Sequence, residues 1–448
     1  MEHLSMRFSL KVAVVLALMF LLLPFAQTCP AAGLFFPAVN YPLGTVPYCV
    51  SGGDFDGDGD IDLVITATNN NAVIIMFNNG FGVFTIAGTY GTGVQPITVD
   101  VCDFDGDGDF DLATANTGSN NISVLFNNGL GAFGPATNYP SGGSPWSICC
   151  ADLDADTDYD IVVTNRGTHD VAVYLNTGGG SFGLPVLHAA GVDPTTVYAA
   201  DFNGDNFNDL VVANFGLNNL AVLMGVGNGS FFAPVFYPGD VDPWAATAAD
   251  LNHDGVPDIA AANSSSNNVS VLINTGIGGF VLPPSNYAVS TAPRSIIPAD
   301  FDVDFNVDFA VTNLATSNVS ILLGNGDGTF MAADNYMVQS GPQVSFTANL
   351  DKNTLPDLAV VNMLSNSVSI LLNAGCCVLS GDVNHDMSLD ISDLTYYVNF
   401  MFLAGPPPPC MEEADFNGDC KLDISDLTYV VDYLFNFGPP PVPCHVCP

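Results

Sequence analysis

The chain has 448 residues and a formal net charge of −40, from 46 acidic and only 6 basic side chains. With so few cations there is almost nothing to neutralise phosphates, which excludes nucleic acid as a partner.

Residues 1–28 carry the pattern of a secretory signal. Arg7 and Lys11 give a positive start, Val12 to Leu23 a short apolar core, and Ala26-Gln27-Thr28 a small-residue cleavage site. The apolar run is too short for a membrane span, and no other stretch approaches one. Ala26-Gln27-Thr28 is also a poor lipobox for Cys29. The expectation is a secreted, extracellular protein, free or held at the cell surface, with no transmembrane anchor. Export would allow disulfides among the 11 cysteines. Cys49, Cys102, Cys149 and Cys150 fall in apolar strand-like runs. Cys376, Cys377, Cys410, Cys420, Cys444 and Cys447 surround the C-terminal segment, as bridges in a small domain would.

From residue 34 to 375 the sequence repeats. The run Asp54-Phe55-Asp56-Gly57-Asp58-Gly59-Asp60-Ile61-Asp62 recurs from Asp103, Asp152, Asp201, Asp250, Asp300 and Asn349, at steps of 49 residues with one of 50. A fixed period of this length marks an array of like units. Acidic side chains at alternate positions, with a further Asp four residues on, are how a short loop wraps oxygens around a hard cation. Such clustered carboxylates repel unless cations bind, so the negative charge reads as metal sites.

The second unit predicts four short strands: Pro96 to Val101, Leu112 to Ala115, Ile122 to Phe126 and Phe133 to Tyr139, with turns at 117–121 and 127–129. Four strands per unit of this size is propeller spacing, and seven units give seven blades. The outer strand reads Phe133-x-x-Ala136-x-x-Tyr139, Phe231-x-x-Pro234-x-x-Tyr237 and Phe330-x-x-Ala333-x-x-Tyr336. The seventh unit lacks it, and Phe35-x-x-Ala38-x-x-Tyr41 supplies it at the other end of the array. The N-terminal strand is therefore expected to complete the last blade and remove an open edge. The fold class is all-β: a seven-bladed β-propeller closed by its N-terminal strand, plus a small α-helical domain.

The units resemble the FG-GAP or VCBS repeats of integrin α-like propellers. The resemblance implies one Ca2+ per loop, held by side chains at positions 1, 3, 5 and 9 and by the carbonyl at 7. These are Asp54, Asp56, Asp58, Asp60 and Asp62; Asp103, Asp105, Asp107, Asp109 and Asp111; Asp152, Asp154, Asp156, Asp158 and Asp160. The fourth and fifth loops offer Asp201, Asn203, Asp205, Phe207 and Asp209, and Asp250, Asn252, Asp254, Val256 and Asp258. The last two offer Asp300, Asp302, Asp304, Asn306 and Asp308, and Asn349, Asp351, Asn353, Leu355 and Asp357. Position 6 is normally Gly for a sharp turn. Gly59, Gly108 and Gly255 keep it and Asn206 is a fair substitute, whereas Thr157, Phe305 and Thr354 depart from it.

Residues 376–448 read as a Cys- and Pro-flanked domain with a core at 379–438. Two loops, Asp382, Asn384, Asp386, Ser388, Asp390, Asp393 and Asp415, Asn417, Asp419, Lys421, Asp423, Asp426, have EF-hand spacing. Each precedes a helical run, with Leu394, Val398 and Phe402, then Leu427, Val431 and Phe435, on one expected face. The pair resembles a dockerin. That implies two further Ca2+ and a cohesin-type partner chosen by Ile391, Ser392, Ile424 and Ser425. Met387 and Cys420 depart from the usual Gly.

No catalytic constellation emerges. His169, His188 and His253 occupy unrelated positions in their units, no Ser-His-Asp order appears, and a lyase would want more cations than Arg166, Arg294 and Lys352. A binding surface has one positive signal. After a Pro shared by all units stand Tyr48, Ile97, Trp146, Thr195, Trp244, Arg294 and Gln343, at the end of the inner strand opposite the acidic loops. Of these, Tyr48, Trp146, Trp244, Arg294 and Gln343 are the candidate ligand residues. The rings are expected to line the rim separately, one per blade, with Asn69-Asn70-Asn71, Asn218-Asn219 and Gln343 taking sugar hydroxyls. The expectation is a non-catalytic binding module for a glycan or an extracellular surface protein. The alternative is a carbohydrate-active enzyme, a hydrolase or lyase, delivered to a complex by its dockerin-like tail.

Overall fold

In the computed structural model the described residues are 34–374, 389, 391–403, 416, 424–436 and 439. The signal segment, the cysteines from Cys376 onward, and the C-terminal loop residues Asp382, Asn384, Asp386, Ser388, Asp390, Asp415, Asn417, Asp419, Lys421 and Asp423 lie outside them. The chain divides into two compact units, one of residues 33–375 and one holding the two C-terminal helices.

The larger unit consists of seven four-stranded antiparallel sheets. Blade one is β2 (Pro47–Gly53), β3 (Asp62–Ala67), β4 (Ala72–Asn78) and β5 (Phe84–Gly91). In each blade the second strand is buried along its whole length. It reads as a short apolar run between Asp and a polar or small residue, as Asp62-Leu-Val-Ile-Thr-Ala67 does. A sheet covered on both faces needs such a run. Facing blades interdigitate: Val64, Val73 and Ile75 of blade one meet Val99, Leu112 and Leu125 of blade two.

The ring closes as the sequence predicts. The last blade is β26 (Pro342–Ala348), β27 (Asp357–Asn362) and β28 (Ser367–Leu371), with β1 (Val39–Pro42) as its outer strand. Val39 pairs with Ile370 and Tyr41 with Val368. Apolar packing completes the junction, since Leu63, Ile65 and Ile74 share a core with Val361, Val368 and Ile370.

Three details differ from expectation or add to it. The fourth strand of blade two spans only Thr137–Pro140, and Phe133 contributes an isolated bridge to Asn127. Pro135 stands between them and has no N–H for a ladder. A disulfide joins Cys102 to Cys150 across the inner strands of blades two and three, while Cys49 and Cys149 are free thiols.

The third concerns the helices α1 (Ile391–Leu403) and α2 (Ile424–Asn436). Their core is Tyr397, Phe416 and Val430, flanked by Leu394, Met401, Leu427 and Leu434, whereas Phe402 and Phe435 are 55% and 56% exposed. Residues i and i+8 lie about 80° apart around a helix. The face centred between i and i+3 therefore leaves the last expected position outside. No described helix is long and apolar enough to cross a membrane.

Candidate functional site

Each acidic loop joins the first and second strands of its blade. The first residue clamps the turn. Asp54 Oδ1 accepts the Gly57 N–H at 2.8 Å and Oδ2 that of Gly59 at 3.0 Å; Asp152 does the same for Ala155 and Thr157. The bond to position 6 recurs in the first six loops, as from Phe305 to Asp300, and positions 4 and 6 take positive φ even where the residue is not Gly. Thr157, Phe305 and Thr354 lie at 79°, 68° and 72°, and Ala155, His253, Val303 and Lys352 at 60–66°. Such a backbone is strained for β-branched Val303 and Thr157 and persists because its surroundings fix it. Sequence reasoning weighed only position 6.

The ninth residue ties the loop to the blade. Asp62 Oδ2 accepts the Phe55 N–H at 3.2 Å and Oδ1 that of Asn78 at 2.8 Å, and the same pair recurs in every blade through Asp357. Burial pushes these carboxyls up, against the opposing pull of their backbone bonds. Asp62, Asp111, Asp308 and Asp357 rise to about 7, and Asp160, Asp209 and Asp258 to about 6. The second residue, apolar in every loop, is buried: Phe55, Phe104, Leu153, Phe202, Leu251, Phe301 and Leu350. Its carbonyl receives the next blade's asparagine in several places, as Asn127 Nδ2 donates to Phe55 O at 2.9 Å and Asn78 Nδ2 to Leu350 O at 2.7 Å.

The donor sets suit a hard cation. Carboxylate oxygens converge within 4.8 Å in Asp54/Asp56/Asp58, Asp103/Asp105/Asp111, Asp152/Asp154/Asp160 and Asp300/Asp302/Asp304. Oδ1 of Asp154 and of Asp302 is buried with no hydrogen-bond partner. In the fourth loop, Asn203 instead donates to Asp205 at 3.0 Å. Neighbouring loops also touch: Lys352 Nζ lies 2.5 Å from Asp60 Oδ1, and His253 Nε2 lies 2.9 Å from Asn306 Oδ1.

At the other end of the inner strands, the aromatic residues meet instead of standing apart. Tyr48 and Trp146 have ring centroids 5.5 Å apart, and Trp146 and Trp244 6.1 Å apart. The inner strands form a closed ring of neighbours, so bulky rings on alternate blades reach each other across it. Two arginines join them. The Arg294 guanidinium lies 3.8 Å from the Trp244 centroid, and that of Arg166 lies 4.4 Å from Trp146. Arg166 is also bidentate to Asp193, at 2.5 and 2.7 Å. Phe215 packs edge-on to Trp244 at 5.4 Å.

The polar groups expected to take sugar hydroxyls are mostly engaged within the fold. Gln343 is 4% exposed and donates to Met363 Sδ at 3.6 Å. Asn71 and Asn218 sit at positive φ, and their Oδ1 atoms accept the N–H of Gln95 and Asp242 in the next blade. Sequence reasoning passed over Arg166 and Phe215 as partners of this cluster. A signal existed. Both occupy the same unit position, directly after the asparagine that ends the second strand, and Met363 holds that position in blade seven.

On α1 and α2, Asp393 and Asp426 are buried at the helix starts, and Tyr397 Oη donates to Asp426 Oδ2 at 3.4 Å. Ile391 and Ile424 are exposed at the equivalent first positions.

These features define a seven-bladed propeller with an acidic loop in every blade. The chain belongs to the FG-GAP-like repeat family, whose model matches residues 54–114, 103–163, 152–212, 201–261 and 251–311, more than half of the chain. No curated protein matches. Among solved structures, BBS1N in complex with ARL6DN is similar at 12% identity and TM-score 0.56, covering 77% of this chain and 98% of that one. A catalytically inactive virginiamycin B lyase from Staphylococcus aureus with quinupristin is similar at 14% identity and TM-score 0.52, covering 75% and 99%. A functionally unknown protein from Desulfotomaculum acetoxidans is similar at 11% identity and TM-score 0.53, covering 70% and 92%. At these identities the likeness is one of fold.

Proposed function

We propose that the protein is a secreted, calcium-loaded propeller that captures an extracellular saccharide or surface protein at its channel mouth without transforming it. The observation that carries this reading is the contiguous cluster of Tyr48, Trp146 and Trp244 with Arg294 and Arg166. Half-buried rings with polar edges are common anchors for ligands. In the loops, Ca2+ would neutralise clustered carboxylates and staple each hairpin. Residues 1, 3 and 5, such as Asp54, Asp56 and Asp58, would hold it, with the converging Asp111 or Asp160 in loops two and three. The helices are read as a dockerin-like tail that docks a cohesin-type partner through Ile391, Ser392, Ile424 and Ser425. The matching exposure of Ile391 and Ile424 in the two halves favours this.

The test is a glycan array and a reducing-end assay on the full chain, with calcium and with EDTA. Retention of a saccharide without release of reducing ends is expected. Sustained production of reducing ends would favour an enzyme instead, and an array with no retained saccharide or surface protein would remove the binding role.

A further inference from the structure

The mouth presents a guanidinium, not a bare aromatic platform. Arg294 lies against the face of Trp244. Other charged groups nearby already have partners: Arg166 is paired with Asp193, Asp242 takes the Ser265 hydroxyl, and Asp240 takes the amides of Asn268 and Asn286. Arg294 differs. Its Nε and Nη1 are buried and bond to nothing, although the chain carries 46 acidic residues. A guanidinium partly withdrawn from water without a carboxylate partner is unfavourable. Its planar fork matches a carboxylate bidentately.

We propose that the mouth is an anion site, and that its ligand is a carboxylate-bearing saccharide whose uronate group bonds Arg294. This names the ligand class of the binding reading above and rests on it. The chain's own negative charge does not forbid it. Arg294 stands six residues before the nearest acidic loop, about 20 Å along a strand. That exceeds the screening length of about 8 Å at physiological salt. Tyr48 and Trp146 continue the cluster from Trp244, and aromatic rings suit the C–H face of a sugar.

The experiment titrates the full chain in calcium and follows tryptophan fluorescence. The probes are a galacturonic acid trimer, the matching neutral galactose trimer, and acetate. A charge-assisted bidentate contact should make the acidic trimer bind about tenfold tighter than the neutral one, or more. Arg294→Gln should erase that preference, and Arg294→Lys should retain only part of it; melting curves confirm that each variant is folded. Equal binding of both trimers to the native chain would overturn the anion site while leaving saccharide capture intact. The same response to acetate at the same concentration would overturn the saccharide part. If neither trimer binds, the mouth reading itself fails. The comparison of probes on the native chain needs no variant to fold.

Discussion

Ring closure should depend on one phenylalanine of the N-terminal segment and not on its neighbour. Phe35 is 6% exposed; its ring lies 5.6 Å from Phe301 and 5.2 Å from Tyr336, and it bridges to Asn373. Phe36 is 39% exposed, although its N–H donates to Leu372 O at 2.9 Å. Phe35→Ala removes a buried ring from between two blades and should cost about 3–5 kcal/mol. Phe36→Ala keeps its backbone bond and should cost at most about 0.5 kcal/mol. Denaturant titrations followed by circular dichroism would read both, with light scattering at the midpoint. The Phe35 variant should also aggregate, because loosening β1 frees the edge of β28. Equal midpoints for the two variants, or a Phe35 variant that stays monomeric with native stability, would refute the clasp.

The ion-free protein should lose stability as pH rises. The ninth-position carboxyls, led by Asp62 and Asp357 at about 7, stay protonated in the fold above the unfolded value of 3.8. The native state therefore binds more protons between about pH 4 and 7, and stability falls across that window. In EDTA the melting temperature should be higher at pH 5 than at pH 7.5, and the stabilisation by calcium should be larger at pH 7.5; pH-independent curves would refute both. Asn127→Ala leaves the buried Phe55 carbonyl without its 2.9 Å donor. It should destabilise by about 1–3 kcal/mol, whereas Asn128→Ala, at an exposed turn, should cost less; chemical denaturation would separate them. Cys102→Ser opens a crosslink spanning 48 residues, which by loop-closure entropy should cost about 4 kcal/mol. Unchanged stability under reducing and oxidising conditions would place that bridge outside the folded ensemble. For the helical unit, Ser392→Ala alone should leave capture of a cohesin-type partner intact, and Ser392→Ala with Ser425→Ala should weaken it, as a pull-down would report.

The sequence by itself determined the blade number, the loop positions and the closing strand. All three are written as spacing along the chain: a period of 49, a fixed run of acidic residues, and a strand motif missing at one end and present at the other. Local chemistry also carried more than the glycine pattern suggested. The first Asp of the loop imposes its turn on Thr157 as it does on Gly59 through the same two backbone bonds. Tertiary structure alone decided what lies together at the mouth. Whether Tyr48, Trp146 and Trp244 touch depends on the width of a ring that no single repeat encodes. Arg166 and Phe215 reach the cluster from hairpin turns packed beside it, and Arg294 stacks on Trp244 with its Nε and Nη1 left without a hydrogen bond. The buried Gln343 and the bonded oxygens of Asn71 and Asn218 follow the same logic. A side chain's residue type states what it can bond, and only its neighbours in space decide whether that capacity is still open.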